Sequence, residues 1–174
     1  MGRNDAAIVA VCDAGPLIHL DELEARDLLD DFALVVPEAV LREVRKHRSA
    51  SAEWAASNAE VENSALPPDS AFRALVSALS LDEGEQHALA LARNREGCML
   101  FTDDAAARLA AERERIHVHG TIGVLLRAIR RRHRTPPEVM TLLQSIPSKS
   151  TLYIRSNLLD EIIAQVAQEF GISP

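Results

Sequence analysis

Residues 6–20 read AAIVAVCDAGPLIHL, and the beginning of this stretch decides the class of fold. Its first part is a continuous apolar run that ends at Asp13, and Gly15-Pro16 follows as an expected break in the chain. A short apolar run of this kind predicts a strand that is buried on both faces, as in the middle of a parallel sheet. We therefore expect a central β-strand with a carboxylate at its carboxyl end.

Beyond this strand, short apolar runs alternate with segments of helical periodicity. Further strands are predicted at residues 33–36, 98–102 and 116–119, a short strand or turn at 153–154, and helices at 20–32, 37–47, 49–63, 70–79, 81–95, 103–115, 121–133, from 136, and at 157–170. This alternation indicates a three-layer α/β fold with a mainly parallel sheet. No repeat or linker interrupts it, so we expect residues 1–174 to form a single domain, with the helices from about residue 135 packing on it or forming an interface.

Composition excludes several classes of protein. The chain has 174 residues, with 19 basic and 26 acidic side chains and a net charge of −7, which argues against binding nucleic acid by bulk charge. Aromatic residues make up 3%, too few for a row of rings that stacks successive bases, and two cysteines are too few for a disulfide scaffold. With no long apolar segment and no leader-like start, we expect a cytoplasmic protein without a membrane partner.

Carboxylates are predicted to converge at one edge of the sheet, because the carboxyl ends of parallel strands meet there. The candidates are Asp13, Asp103 and Asp104 after strands, Glu85 in the first turn of a helix, and Glu43 in the helix after the second strand. Such a group repels itself unless divalent cations neutralise it, and oxygen ligands suit Mg²⁺ or Mn²⁺. One or two such ions can activate water for displacement at phosphorus.

Most of these carboxylates also have a structural interpretation. Asp103 or Asp104 could cap the helix that follows, and Asp82 and Glu85 have the spacing of a capping box. Glu43 could be an ordinary solvent-facing helix residue. Asp13 has neither a cap role nor an ion-pair partner visible in the sequence.

Five segments in this order resemble PIN-domain proteins: VCDAGPLIHL, PEAVLREV, LDEGEQHALALA, LFTDDAAARLA and HGTIGVLLRAI. Within that family they are similar to the bacterial and archaeal branch related to VapC-type toxin ribonucleases, in a group that carries GTxGVLL. The resemblance runs from about Ile8 to Ile129 and onward to the last helix. Its specificity lies in the ordered set, since each segment alone is a weak signal.

The resemblance implies a Rossmann-like sheet and Mg²⁺- or Mn²⁺-dependent cleavage of RNA. It further implies a homodimer and, if the chain is a toxin, an antitoxin-like protein partner. It assigns the metal-binding acids and one positioning hydroxyl residue by residue, namely Asp13, Glu43, Glu85, Asp104 with Asp103 as a helper, and Thr102.

One position departs from the family pattern. Relatives carry Ser, Thr or Asn two residues after the first acid, where this chain has Gly15. Loss of that hydroxyl should weaken the orientation of a metal-bound water or of a neighbouring carboxylate. An alternative therefore stays open: a PIN-like module with weak or no catalysis that binds other proteins.

Two basic clusters are candidates for contacts with the RNA backbone. We single out Arg42, Arg45, Lys46, Arg130 and Arg131. Each cluster could equally be a solvated helix end, where the helix dipole favours basic residues. His119 is more typical of a structural histidine than of a ligand.

Two other enzyme classes fit poorly. A haloacid dehalogenase-type phosphatase needs a second Asp where this chain has Gly15. A phospho-receiver domain needs a lysine after a late strand, and neither Lys46 nor Lys149 is in such a position.

Overall fold

A parallel sheet forms the centre of the computed structural model, which describes residues 8–63 and 65–172. Within those residues the sheet has five strands: β1 (Ile8–Cys12), β2 (Phe32–Pro37), β3 (Glu60–Glu62), β4 (Met99–Phe101) and β5 (His117–His119). They lie in the order β3-β2-β1-β4-β5, and every neighbouring pair is parallel. The apolar run before Asp13 therefore forms the central strand, as predicted. Two residues at its predicted start, 6 and 7, lie outside the described residues.

Helices cover the sheet, and the predicted three-layer α/β fold is confirmed. They are α1 (Ala14–Glu22), α2 (Glu38–His47), α3 (Ser49–Asn58), α4 (Ser70–Ala78), α5 (Glu83–Arg93), α6 (Ala105–Arg113), α7 (Thr121–Arg130), α8 (Pro136–Lys149) and α9 (Ser156–Phe170), with a short 3₁₀ helix at Arg26–Asp31. Four of them, α1, α2, α6 and α7, begin one to four residues after the carboxyl end of a strand. Their first turns therefore surround one edge of the sheet, called here the carboxyl edge.

The helix predicted at residues 20–32 is wrong in its bounds. Helix α1 begins immediately after Asp13, includes Gly15 and Pro16, and ends at Glu22, and a 3₁₀ helix follows after a short turn. Proline is tolerated in a first turn because its missing N–H would have no partner there. Gly15-Pro16 thus belongs to a helix start, and the break expected there does not occur. Glu24, with φ of 56°, lies just after the actual end of the helix.

The segment 49–63 is predicted to be helical around Trp54; the helix around Trp54 occurs, and the end of the segment differs from the prediction. The helix ends at Asn58, and Glu60–Glu62 form β3 beside β2. This edge strand is short and reads EVE, so it has no apolar run that would reveal it. Residues 153–154 form neither a strand nor a helix.

The last two helices pack on the same apolar core as the sheet. Val139 and Leu143 of α8 and Leu159 and Val166 of α9 are buried in that core. Cys12 and Cys98 are buried free thiols. In the described ranges no helix combines the length and the apolar character needed to cross a bilayer.

Candidate functional site

Asp13 lies at the carboxyl edge, at the junction of the two central strands. It follows β1, its side chain makes no cap bond to α1, and the residue is only 5% exposed. The hydroxyl of buried Thr102 donates to Asp13 Oδ2 at 2.9 Å and accepts from the backbone N–H of Asp104 at 3.2 Å. One hydroxyl thus orients the carboxylate after β1 and the start of the segment after β4.

Glu43 reaches the same region from α2, through space that Gly84 leaves open. A Cβ at Gly84 would lie 2.8 Å from Glu43 Oε2 and 3.4 Å from Asp82 Oδ1. A larger residue at this position would displace the Glu43 carboxylate. Because Gly84 has no side chain, it leaves room for the carboxylates of Glu43 and Asp82 at the start of α5.

Asp82 and Glu85 form the capping box that their spacing predicts. The N–H of Glu85 donates to Asp82 Oδ1, and the N–H of Asp82 donates to Glu85 Oε2, both at 2.9 Å. This fixes both carboxylates at the first turn of α5. Glu85 is therefore a helix-capping residue, as its spacing from Asp82 suggests. The same hydrogen bonds also determine where the charge of Glu85 lies.

Asp104 caps α6. Its Oδ1 accepts from the N–H of Ala107 at 2.8 Å. The cap holds this carboxylate at the carboxyl edge, one strand away from Asp13.

Asp103 is held by different partners, which link three elements. His19 Nδ1 of α1 donates to its Oδ2 at 2.8 Å, the backbone N–H of Thr121 donates to its Oδ1 at 2.7 Å, and the Thr121 hydroxyl donates to its Oδ2 at 2.6 Å. Both oxygens are engaged, which favours a positioning role for Asp103 over a ligand role. A Cβ at Gly15 would lie 3.4 Å from Asp103 Oδ2 and from His19 Cε1, so the hydroxyl missing at Gly15 would have pointed into this network.

The sequence interpretation missed His19 and Thr121. Both lie in segments quoted for the family resemblance, Thr121 as the threonine of GTxGVLL, but the resemblance gives them no role and nothing in the sequence links them to Asp103. A retrospective signal is the spacing of Gly15 and His19, which places them on one face of α1.

The carboxylates share one electrostatic environment. Burial, with smaller contributions from the charges of Asp82 and Glu43, raises the pKa of Asp13 to about 7, although its hydrogen bonds to the Ala14 backbone and to Thr102 lower it. Burial also raises the pKa of Glu85 to about 7, helped by Asp82, Asp104 and Asp13. Burial, followed by the charge of Asp82, raises the pKa of Glu43. The acids therefore act on one another across four different elements.

This donor set suits a hard divalent cation. All the donors are carboxylate oxygens, which is the ligand type that Mg²⁺ and Mn²⁺ prefer. Within residues 8–63 and 65–172, no three such side chains are close enough together to hold an ion. Mutual repulsion and the helix-cap bonds of Asp82, Glu85 and Asp104 account for their separation.

The predicted RNA-binding cations lie in two different settings. Arg42 is exposed near the carboxyl edge and pairs with Glu83 at 2.7 Å. Arg45 and Lys46 are in the last turn of α2, and Arg130 and Arg131 are at the end of α7. Since both helices run away from the carboxyl edge, at about 1.5 Å per residue, these four residues are on the order of 10 Å or more from it.

His119 follows β5 at the same edge of the sheet. Burial lowers its pKa, and the charges of Arg108, Arg127 and Arg130 lower it further. The charges that act on His119 are therefore cationic, whereas those that act on Asp13 are acidic.

Comparison with known proteins places the chain in a family. A family model described as a PIN domain matches residues 9–168, and this agrees with the expected resemblance at the level of the family. Neither a curated protein nor a solved structure matches the chain. The parallel sheet, the carboxylates at its carboxyl edge and the family match lead to one conclusion: the chain belongs to the PIN-domain family.

Proposed function

We propose that this protein is a metal-dependent endoribonuclease that hydrolyses phosphodiester bonds of RNA. PIN domains are typically metal-dependent nucleases, which implies a nucleic acid as substrate. The observation that carries the proposal is the electrostatic coupling of Asp13, Glu43, Glu85 and Asp104, in which burial and neighbouring acids raise the pKa of Asp13 and of Glu85 to about 7 and also raise that of Glu43. A protein-binding module has no need of such an arrangement.

These four carboxylates would hold one or two Mg²⁺ or Mn²⁺ ions. When bound, such an ion supplies water activation and charge stabilisation for an in-line displacement at phosphorus. Thr102 keeps the Asp13 carboxylate oriented through its hydroxyl, at 2.9 Å. Gly84 leaves the space in which the Glu43 carboxylate lies.

Asp103 has a supporting role in this proposal. Its bonds to His19 and Thr121 tie the segment after β4 to α1 and α7. The capped Asp104 next to it is thereby kept at the carboxyl edge. Asp103 would act by positioning, and the four other acids would bind the metal.

Further features of the proposal rest on the family resemblance. They are a homodimer, an antitoxin-like protein partner, and a role as the toxin of a toxin–antitoxin pair. A cytoplasmic location is proposed separately, from the composition of the chain. We also propose that residues 1–174 act as one domain, since α8 and α9 share the core of the sheet.

A second candidate is a PIN-like module that binds proteins and has weak or no catalysis. Gly15 favours it, because the hydroxyl expected at this position is absent. The cap bonds of Glu85 and Asp104 favour it too, since they give these acids a structural role.

A calorimetric Mn²⁺ titration tests the proposal. Wild-type protein is compared with Asp13→Asn, which keeps an acceptor for Thr102 and removes the buried charge. Asp30→Asn is the matched control, because Asp30 is exposed on the 3₁₀ helix before β2. We expect saturable binding to wild type and to the control, and none to Asp13→Asn. Equal or absent binding in all three proteins would favour the protein-binding module.

Cleavage of a mixed RNA pool in Mn²⁺ is the second measurement. We expect fragments with wild type and none with Asp13→Asn. Cleavage retained by Asp13→Asn would contradict the assignment of the site.

A further inference from the structure

A cavity of about 360 Å³ opens beside the acidic site, above β4 and β5. Asp103 forms part of its boundary, and Gly120 and Gly123 at the start of α7 line it. A Cβ at Gly120 would come 3.3 Å from Arg108 Nη1 and 2.4 Å from Asp103 Oδ1, so glycine keeps this end of the cavity open. The volume is in the range of sites for small molecules.

The walls of the cavity combine a flat apolar surface with polar edges. Ile154, Leu158 and Ile162 from the last segment of the chain provide the apolar side. Tyr153 lines the mouth and is 89% exposed, so its ring is available for stacking. Arg108 and His119 provide polar groups.

Arg108 is anchored at the carboxyl edge. Its Nη1 donates to the backbone oxygen of Thr102 at 3.4 Å, and Thr102 is also the residue that orients Asp13. Burial lowers the pKa of His119, and the charge of Arg108 lowers it further. A ligand in the cavity can therefore reach a guanidinium and an imidazole.

The cavity is close enough to the acids to hold a neighbouring nucleotide. Adjacent strands lie about 4.8 Å apart, so β5 is on the order of 10 Å from β1. The acids lie over β1 and β4, and the cavity lies over β4 and β5. A single-stranded RNA that lies along the carboxyl edge would pass from the acids to the cavity.

We propose that this cavity is a nucleobase subsite, in which the base next to the scissile phosphate stacks on Tyr153 and presents its polar edge to Arg108 and His119. The proposal rests on the proposed ribonuclease function and adds the part of the substrate that the site recognises. A phosphate alone would not contact the apolar wall of the cavity favourably. A purely apolar ligand would make no use of the polar groups of Arg108 and His119.

Nuclear magnetic resonance can test this directly, because the chain contains a single tyrosine. The metal-free protein is titrated with AMP, with adenosine, and with ribose 5-phosphate. We expect saturable upfield shifts of the Tyr153 ring protons with AMP and adenosine, and none with ribose 5-phosphate. An equal response to ribose 5-phosphate would mean a phosphate site. No response up to about 10 mM, enough to saturate a Kd of about 1 mM, would overturn the proposal.

Variants distinguish stacking from general binding, with the AMP signals as readout. Tyr153→Phe keeps the ring, and we expect its affinity to stay near that of wild type. Tyr153→Ala should bind AMP about 5- to 150-fold more weakly, the range measured for loss of one base–aromatic stack. Leu109→Ala is the control, because Leu109 is exposed on α6 and does not line the cavity. Unchanged affinity in Tyr153→Ala would overturn the subsite.

The outcome is independent of the metal titration. Nucleotide binding without Mn²⁺ binding would support a base subsite and contradict the ribonuclease. Mn²⁺ binding without nucleotide binding would leave the ribonuclease and remove the subsite.

Discussion

At the scale of single residues, Asp13 combines deep burial with a charge that the fold does not neutralise. The Thr102 hydroxyl is a neutral partner, and the nearby Asp82 and Glu43 add repulsion. A buried charge of this kind destabilises a fold unless a ligand of opposite charge binds. Residues whose removal stabilises a protein are frequently those that its function requires.

Asp13→Asn should therefore stabilise the metal-free protein at neutral pH. The pKa of Asp13 is 3.8 in the unfolded chain and about 7 in the fold, so the folded state binds more protons between these values. The free energy of unfolding contributed by this group then falls as pH rises from about 4 to 7. Asparagine does not titrate, so Asp13→Asn does not lose this free energy. We expect its free energy of unfolding to exceed that of wild type by up to about 4 kcal/mol above pH 7 and to equal it near pH 4.

Urea unfolding in the presence of a chelator, at about pH 4.5 and pH 7.5, measures this difference. Asp30→Asn, which removes one exposed carboxylate, is the control. Destabilisation of Asp13→Asn by the same amount at both pH values would contradict the prediction.

Two glycines next to Asp103 should respond differently to a side chain. At Gly15 a Cβ meets Asp103 Oδ2 at 3.4 Å, an ordinary contact, whereas at Gly120 it meets Asp103 Oδ1 at 2.4 Å. We expect Gly15→Ser to change the free energy of unfolding by less than about 1 kcal/mol. Gly120→Ala should cost about 1–3 kcal/mol, because Asp103 must leave the N–H of Thr121 unpaired.

Denaturant unfolding of the two variants side by side checks this. Gly15→Ser also restores the hydroxyl that PIN relatives carry, so its Mn²⁺ affinity should equal or exceed that of wild type. Equal losses of stability in the two variants would show that crowding at Asp103 is not the cause.

Asp13, Asp103, Asp104 and Glu85 could be named from the sequence because each follows a strand or opens a helix, whereas Glu43 lies inside α2 and was named from the family resemblance and its place in the helix after the second strand. Asp13 and Asp104 come directly after predicted strands, and the structure brings them to one edge. The partners of Asp103 could not be named in the same way. His19 is 84 positions away from it, and their contact depends on how α1 packs across the end of β4.

At the scale of secondary structure, strong local signals predicted the elements well and weak ones did not. The central strand and the capping box of α5 have clear patterns, and both occur. The sequence did not predict the start of α1, because Gly15-Pro16 is typical of a turn and also suits a first helical turn. β3 was hidden because an exposed edge strand needs no apolar residues and is stabilised by pairing with β2.

Asp82 allows the cap of α5 to be separated from its charge. Asp82→Asn keeps a good N-cap, whereas Asp82→Ala removes it at a cost of about 0.5–2 kcal/mol. Both variants remove a negative charge that raises the pKa of Asp13, Glu43 and Glu85. We therefore expect only Asp82→Ala to lose stability at neutral pH, and both to bind Mn²⁺ more weakly than wild type.

Thermal unfolding and a Mn²⁺ titration of the two variants provide the two readouts. If Asp82→Asn lost as much stability as Asp82→Ala, the charge and not the cap would be the structural contribution of Asp82.

At the scale of the whole molecule, acidic and basic side chains are separated along the direction of the strands. The acids lie at the carboxyl edge, while the basic ends of α2 and α7 lie toward the opposite edge. There His133 pairs with Asp31 and Arg134 with Asp27, at 2.8 and 2.5 Å. The basic clusters are therefore well explained as helix ends, and their predicted contact with RNA depends on a substrate long enough to reach them.

A short RNA should consequently bind with a shallow dependence on salt. Near the carboxyl edge a short RNA can reach two cations, Arg108 and Arg42. Arg42 forms an exposed ion pair with Glu83, which is weak enough for Arg42 to bind a phosphate instead. For a single strand the log–log slope is about −0.7 per phosphate contact, so two contacts predict a slope of about −1.4. Anisotropy of a labelled hexanucleotide bound to Asp13→Asn, measured over a range of salt concentrations, gives this slope without cleavage. A slope steeper than about −3, made shallower by Arg130→Gln with Arg131→Gln, would show instead that the RNA reaches the far end of α7.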